Sequence, residues 1–320
     1  MSPLSRRLQA VTATLTPASG ITHGRQVFAT NTGIAGIGLT RSQLTPSGSI
    51  TVSTPGAVVS NMLVSGTLTV AADNVTISGC QVENSGSAAF CIVVQASNCT
   101  IQNCTVVPPG VAGSASAYMG VVAQIGGGLI IRSCDISYCE NNVSLNNDGG
   151  STLIETSFLH DASNVLNPLG HRDCIEVYAG VNVNIRKNKL LHPTGETSVV
   201  NIAPWSGNAS VITCNVDDNY IDGGHMHFVD DLQSTGVIQN VRVRRNDMGG
   251  HTTPNVGGIY WGLNSKQPIT QTEAGLTSNP NQVLWPFTGP DVNYWVNCAS
   301  LTPNRTGMII NDPTTPIFQP

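Results

Sequence analysis

The sequence predicts an all-β chain wound as a right-handed parallel β-helix with capping segments at its two ends, on three observations. A short phrase recurs with a fixed local pattern and variable spacing. A second family of short apolar strands falls between its copies. The composition favours strands and turns: only 10% of the 320 residues are charged, and Gly counts 33 and Pro 18.

The phrase reads Asn-Val-Thr-Ile-x-x-Cys-x-Val at 74–82, Asn-Cys-Thr-Ile-x-x-Cys-x-Val at 98–106 and Leu-Ile-Ile-x-x-Cys-x-Ile at 129–136. Each anchor, taken with the residues three and five positions on, gives a rung. The rungs are Val59/Met62/Val64, Ile77/Cys80/Val82, Ile101/Cys104/Val106, Ile131/Cys134/Ile136, Ile154/Ser157/Leu159, Ile185/Asn188/Leu190, Val216/Asn219/Ile221 and Val243/Asn246/Met248. Successive anchors lie 18 to 31 residues apart. A constant strand core with connections of variable length is how a stacked repeat looks when its turns carry insertions.

Between the rungs sit Ile50–Val52, Thr67–Val70, Ile92–Val94, Gly120–Val122, Val143–Leu145, Ile175–Val177, Val200–Ile202, His227–Val229 and Ile259–Trp261. Each circuit therefore reads as strand, turn, strand, turn. No segment here carries a 3.6-residue apolar stripe, which disfavours helical crossovers. The middle members of the rungs run Cys80, Cys104, Cys134, Ser157, Asn188, Asn219, Asn246. Stacked, they form a thiol column passing into an asparagine ladder, in which each amide donates to one neighbour and accepts from the next. That role is structural.

Residues 1–46 lack the repeat and read as an N-terminal cap or docking segment, 47–263 as the repeat itself. Residues 264–320 are Pro-rich, carry Trp285, Phe287, Tyr294 and Trp295, and read as a C-terminal cap or oligomer contact. Caps are expected because the open ends of a stack expose unpaired strand edges. The nine cysteines form no CxxC pair and no Cys/His cluster, so they read as small buried hydrophobes, and neither a metal nor a cofactor is expected. A net charge of −5 with scattered Lys and Arg gives no basic stripe, so nucleic acid is not an expected partner. No apolar run reaches the ~18 residues of a membrane span, so no membrane insertion is expected. The start, Met1 to Arg7, is basic, but the following residues are too polar for the core of a leader, and none is expected to be removed.

The Asn-Val-Thr-Ile rungs from 47 to 263 resemble the pectate-lyase-like right-handed parallel β-helix superfamily. A narrower likeness rests on an ordered series: Asn31-Thr32-Gly33-Ile34, Leu44-Thr45-Pro46-Ser47-Gly48, Ser49-Ile50-Thr51-Val52, Val58-Val59-Ser60-Asn61 and Ala72-Asp73-Asn74-Val75-Thr76-Ile77. It is similar to β-helix proteins of actinobacteria and the minor tail proteins of their phages. The resemblance implies a virion structural protein, tail-associated or surface-exposed, assembled in the host cytoplasm and acting outside the cell in the particle. It also implies a homotrimer beside other virion tail proteins, touching a host-surface glycan. The alternative is a polysaccharide-cleaving glycoside hydrolase or lyase of the same fold; a secreted adhesin or matrix protein is a third reading.

Chemistry in such a fold is expected in a lateral groove lined by outward residues of stacked strands. The richest stretch is His171-Arg172-Asp173-Cys174-Ile175-Glu176, with Tyr178 beyond. With Ile175 and Val177 inward, alternation turns Glu176 and Tyr178 outward. Neighbouring circuits add Asn201 and His227, then Asp230 and Asp231. The catalytic candidates are thus Glu176 paired with Asp230 or Asp231, helped by His171 and Asp173, because inverting glycosidases need two carboxyls ~6.5–9.5 Å apart. Tyr178, Asn201 and His227 are the glycan-binding candidates. His171 and Asp173 also read simply as a turn-capping pair. The Asn-Thr-Asp and Gly-His-Gly phrases of pectin-hydrolysing relatives are missing; Asp217-Asp218, Asp230-Asp231 and Arg186-Lys187 are fragments of the rest.

Overall fold

The computed structural model describes residues 21–109, 117–146, 150–163, 172–192, 198–204, 209–223, 226–230, 237–249, 259–261, 269–272, 275–278, 283–285 and 294–296, with side chains except at 86–88, 226–230, 237–239 and beyond Asp247. The described residues are β-strands apart from turns and three short 3-10 segments at 24–26, 35–37 and 41–43.

The strands join edge to edge in three parallel ladders, except that Gly275–Ser278 pairs antiparallel with Ile269–Thr272 and with Val283–Trp285. Sheet C holds the anchors: Val59, Ile77, Ile101, Ile131, Ile154, Ile185, Val216 and Val243 are consecutive register partners. Sheet A holds the residues five positions on: Val64, Val82, Val106, Ile136, Leu159, Leu190, Ile221 and Met248. Sheet B stacks the second strand family, Ile50, Leu68, Ile92, Val121, Val143, Ile175, Val200, Phe228 and Ile259. From Thr45 to Trp261 the chain visits A, B and C in that order again and again, and the long strand Asp173–Arg186 runs from B into C without a break. Two further strands extend the stack beyond the sequence-defined repeat: Val283–Trp285 joins C and Tyr294–Val296 joins A.

Each circuit therefore has three strands where the sequence pattern suggested two, because the anchor and its partner five residues on lie around a corner from each other. The corner is made two residues after every anchor, at Asn61, Gly79, Asn103, Ser133, Thr156, Lys187, Asp218 and Arg245, all with φ between 50° and 60°. Left-handed backbone is cheap for Gly and tolerable for Asn and Asp, and costs about 1–2 kcal/mol for the others. The corner amides recover part of that cost by hydrogen-bonding to the next rung, as in Thr156 N to Arg186 O (3.3 Å) and Lys187 N to Asp217 O (3.1 Å).

The inward residues of all three sheets make one apolar cluster, with Ile77, Ile101, Ile131, Ile154 and Ile185 fully buried. The eight described cysteines are buried. Just past the corner, the column from Cys80 to Asn246 meets the backbone of the rung before it. Cys104 Sγ points to Ile77 O at 3.8 Å and Cys134 Sγ to Ile101 O at 3.6 Å; Asn188, Asn219 and Asn246 donate from Nδ2 to Ile154, Ile185 and Val216 O at 2.9, 2.9 and 2.7 Å. Looking the other way, the Ser157, Asn188 and Asn219 amides donate to Oδ1 of Asn188, Asn219 and Asn246, each at 2.9 Å. This is the ladder expected from the sequence, with backbone as well as side chains satisfied at every step.

Residues 21–44 lie along the outside of the stack and run opposite to its growth. Arg41 clasps Glu83, Ile34 N reaches Thr105 Oγ1, Gly33 N reaches Ser133 O, Gly24 N reaches Asp218 O, and His23 and Arg25 meet Asp247. Gly24 permits the closest approach: a Cβ there would collide with the Asn188 carbonyl and the Tyr220 amide.

Candidate functional site

Glu176 stands on the outer face of sheet B, opposite the core-facing Ile175 and Val177, as alternation requires. Around Glu176 that face is covered, not solvated. Its first column starts at Thr51 and Thr69 and turns apolar at Val93 and Val122; with Phe90 and Met119 of the second column these pack together as a second hydrophobic cluster. The columns continue polar: Ser144, Glu176 and Asn201 in the first column, Asn141 and Asp173 in the second. Glu176, Asp173 and Ser144 are completely buried, and Glu140, Asn141 and Asn201 nearly so.

Asn141 ties the two columns, donating from Nδ2 to Glu176 Oε2 (2.5 Å) while its Oδ1 accepts the Asp173 amide (3.1 Å). Asp173 Oδ1 accepts both N and Oγ of Ser198 at 2.9 Å. Glu176 Oε1, Ser144 Oγ and Asn201 Oδ1, neighbours along one column, have no hydrogen-bond partner among the described residues. Burial, with the charge of Asp173 and then Glu140 beside it, pushes the Glu176 carboxyl up to about 8, against a hydrogen bond from Tyr178 that lowers it. That shift favours the protonated carboxyl at neutral pH. Asn201 follows Glu176 in the same register column. Tyr178 is half-buried, and burial and then Glu176 raise its hydroxyl pKa.

The other sequence candidates are placed as follows. His171 and Asp231 lie outside the described residues, as do the side chains of His227 and Asp230. The backbone of 226–230 puts Val229 in register with Asn201 and Glu176, whereas Asp230 shares the column of Val177 and Ile202. The paired Asp217 and Asp218 are engaged by arginines one rung on: Arg244 meets Asp217 at 3.0 and 2.6 Å, Arg245 meets Asp218 at 2.8 and 3.1 Å. Arg186 closes on Glu155 in the same way.

A second site, which sequence reasoning missed, opens on the outer face of sheet A. It is a cavity of about 410 Å³ walled by three successive rungs, Phe158–His160, Lys189–His192 and Tyr220–Gly223. Phe158, Lys189 and Tyr220 form one register column, and His160, Leu191 and Asp222 the next outward one. The signal was present in the sequence: these are the residues on either side of the inward Leu159, Leu190 and Ile221.

His160 stacks on Phe158 with ring centroids 4.0 Å apart and sits between Asp161 (2.7 Å) and Asp135 (2.9 Å). Burial works against its charge, but the two carboxylates outweigh it and raise the imidazole to about 9, so it is cationic at neutral pH. His192 is its opposite: burial lowers it to about 4, and its Nε2 lies 2.9 Å from Arg172 O. The Lys189 ammonium rests over the rings of Phe28, Phe158 and Tyr220 at 4.2, 5.8 and 5.7 Å. Tyr220 OH donates to Asp222 Oδ2 at 3.2 Å.

The ladders and these two outer faces define an all-β protein of parallel strands in curled sheets. The chain matches no protein-family model, no curated protein and no solved structure.

Proposed function

We propose that the chain is a right-handed parallel β-helix serving as a structural protein of a phage particle, tail-associated or surface-exposed, that attaches the particle to a host-surface glycan. The likeness of its rungs to pectate-lyase-like proteins and phage minor tail proteins motivates the reading. The observation that carries it is the unbroken register of three parallel ladders, visited in cyclic order and pinned by an internal ladder of side chains. A stack of this kind is a stiff rod whose side faces are free to vary, which suits attachment. In this reading it works as a homotrimer, assembled in the host cytoplasm beside other tail proteins and exposed once the particle is released.

Glu176 favours the second reading, a polysaccharide hydrolase or lyase, in one respect: an acid protonated at neutral pH is what a glycosidic leaving group requires. Its complete burial keeps it from a polymer, and attachment is the stronger conclusion. Purified particles from lysed actinobacterial cultures, analysed by mass spectrometry, are expected to contain the chain, and antibody against it is expected to block adsorption. A chain missing from particles and present as a soluble monomer in uninfected cells overturns the proposal.

A further inference from the structure

We propose that the cavity between Phe158 and Tyr220 on sheet A binds one hexopyranose unit of an uncharged glycan. The choice of a glycan deepens the attachment reading and rests on it; the location rests on the pocket itself. The volume of about 410 Å³ falls at the small end of the ~300–1,000 Å³ usual for small-ligand sites. Its walls belong to three hydrogen-bonded rungs, so the shape exists before a ligand arrives and little ordering is left to oppose binding.

The lining selects among ligand classes. Two aromatic rings, Phe158 and Tyr220, stand two rungs apart, roughly 10 Å by strand spacing, and offer flat apolar surface. The lining carries both signs of charge, Asp161 and Asp222 against Lys189 and His160, so it offers no net charge to select an anion or a cation. A purely apolar ligand would strip water from those carboxylates and from the charged His160 and return no hydrogen bond. A pyranose meets every part: its C–H face lies on Tyr220, since His160 already stacks on Phe158, and its hydroxyls donate to Asp161 and Asp222 in charge-assisted bonds and accept from Lys189.

Saturation-transfer NMR tests this with the methyl glycosides of glucose, galactose, mannose and N-acetylglucosamine, at millimolar concentration, on the full chain. Wild type is expected to show transfer from at least one of them, and Tyr220→Ala and Leu191→Trp to weaken binding at least tenfold with melting temperatures close to wild type. Leu191→Trp fills the cavity while leaving both rings in place, so it covers the case in which Tyr220→Ala disturbs folding. Equal binding by wild type and both variants overturns the site while leaving glycan attachment intact. No transfer from any glycoside also overturns the site. Adsorption of particles that survives periodate treatment of host cells overturns the attachment reading instead, so the two failures are distinguishable.

Discussion

Asn219→Ala is expected to lower the free energy of unfolding by about 4 kcal/mol, from two buried groups left unsatisfied at roughly 1–3 kcal/mol each. Asn219 is fully buried, and its side chain accepts from Asn188 N (2.9 Å) and Nδ2 (3.1 Å) and donates to Ile185 O and Asn246 Oδ1 (both 2.9 Å). Without it, the Asn188 amide loses its acceptor and the Ile185 carbonyl loses the side-chain donor that reaches it. The Asn188 amide group keeps Ile154 O, and Asn246 Oδ1 keeps the Asn219 backbone amide, so the damage stays local. Asn219→Cys should fall between wild type and Ala, because in the earlier rungs Cys104 and Cys134 already point a thiol at the preceding carbonyl, while sulfur accepts weakly. Urea denaturation measures both. An Asn219→Ala loss under about 1 kcal/mol, the usual net worth of one hydrogen bond, would mean that the ladder is not a source of stability.

Glu176→Gln is expected to be more stable than wild type above neutral pH and equal to it in acid. The Glu176 carboxyl is raised from its ordinary value to about 8, so the folded protein holds this proton more tightly than the unfolded chain does. The stabilisation is fully present below about 4.5, declines through neutral pH, and is lost once pH passes about 8. Asp173, Glu140 and Tyr178 surround it, and each disfavours or shares its charge. A glutamine keeps an acceptor for Asn141 and brings no charge into the buried face. The gap between variant and wild type should reach on the order of 2–4 kcal/mol at pH 9. Parallel stability profiles for the two proteins between pH 4 and 9 would show that Glu176 is not held protonated.

The anchors and the residues five positions on were legible in the sequence because inward side chains repeat at fixed local offsets. All eight anchors stack in one sheet. The corner between them was hidden, since a positive φ leaves a clear mark only at Gly79 and the asparagines; Thr156, Lys187 and Arg245 adopt it with no trace in residue type. The asparagine ladder was legible because a polar residue recurring in an apolar column must be satisfied by its neighbours above and below. Alternation puts Glu176 on the correct face but does not reveal its burial, because it tells inside from outside and says nothing of what covers the outside. The sheet-A pocket was hidden for a related reason. Phe158, Lys189 and Tyr220 are unremarkable one at a time, and become a site only when register brings circuits about 31 residues apart into contact.

The stacking itself is tested most directly by distances between spin labels on cysteines introduced along the outward column of sheet C. From Thr76, Asn184 is four register steps away and Arg242 six. At about 4.8 Å per step the backbone separations are roughly 19 Å and 29 Å. Two narrow distributions whose centres differ by about 10 Å are the result this account predicts. Equal distances for the two pairs, or a spread as broad as that of an unfolded chain, would contradict it.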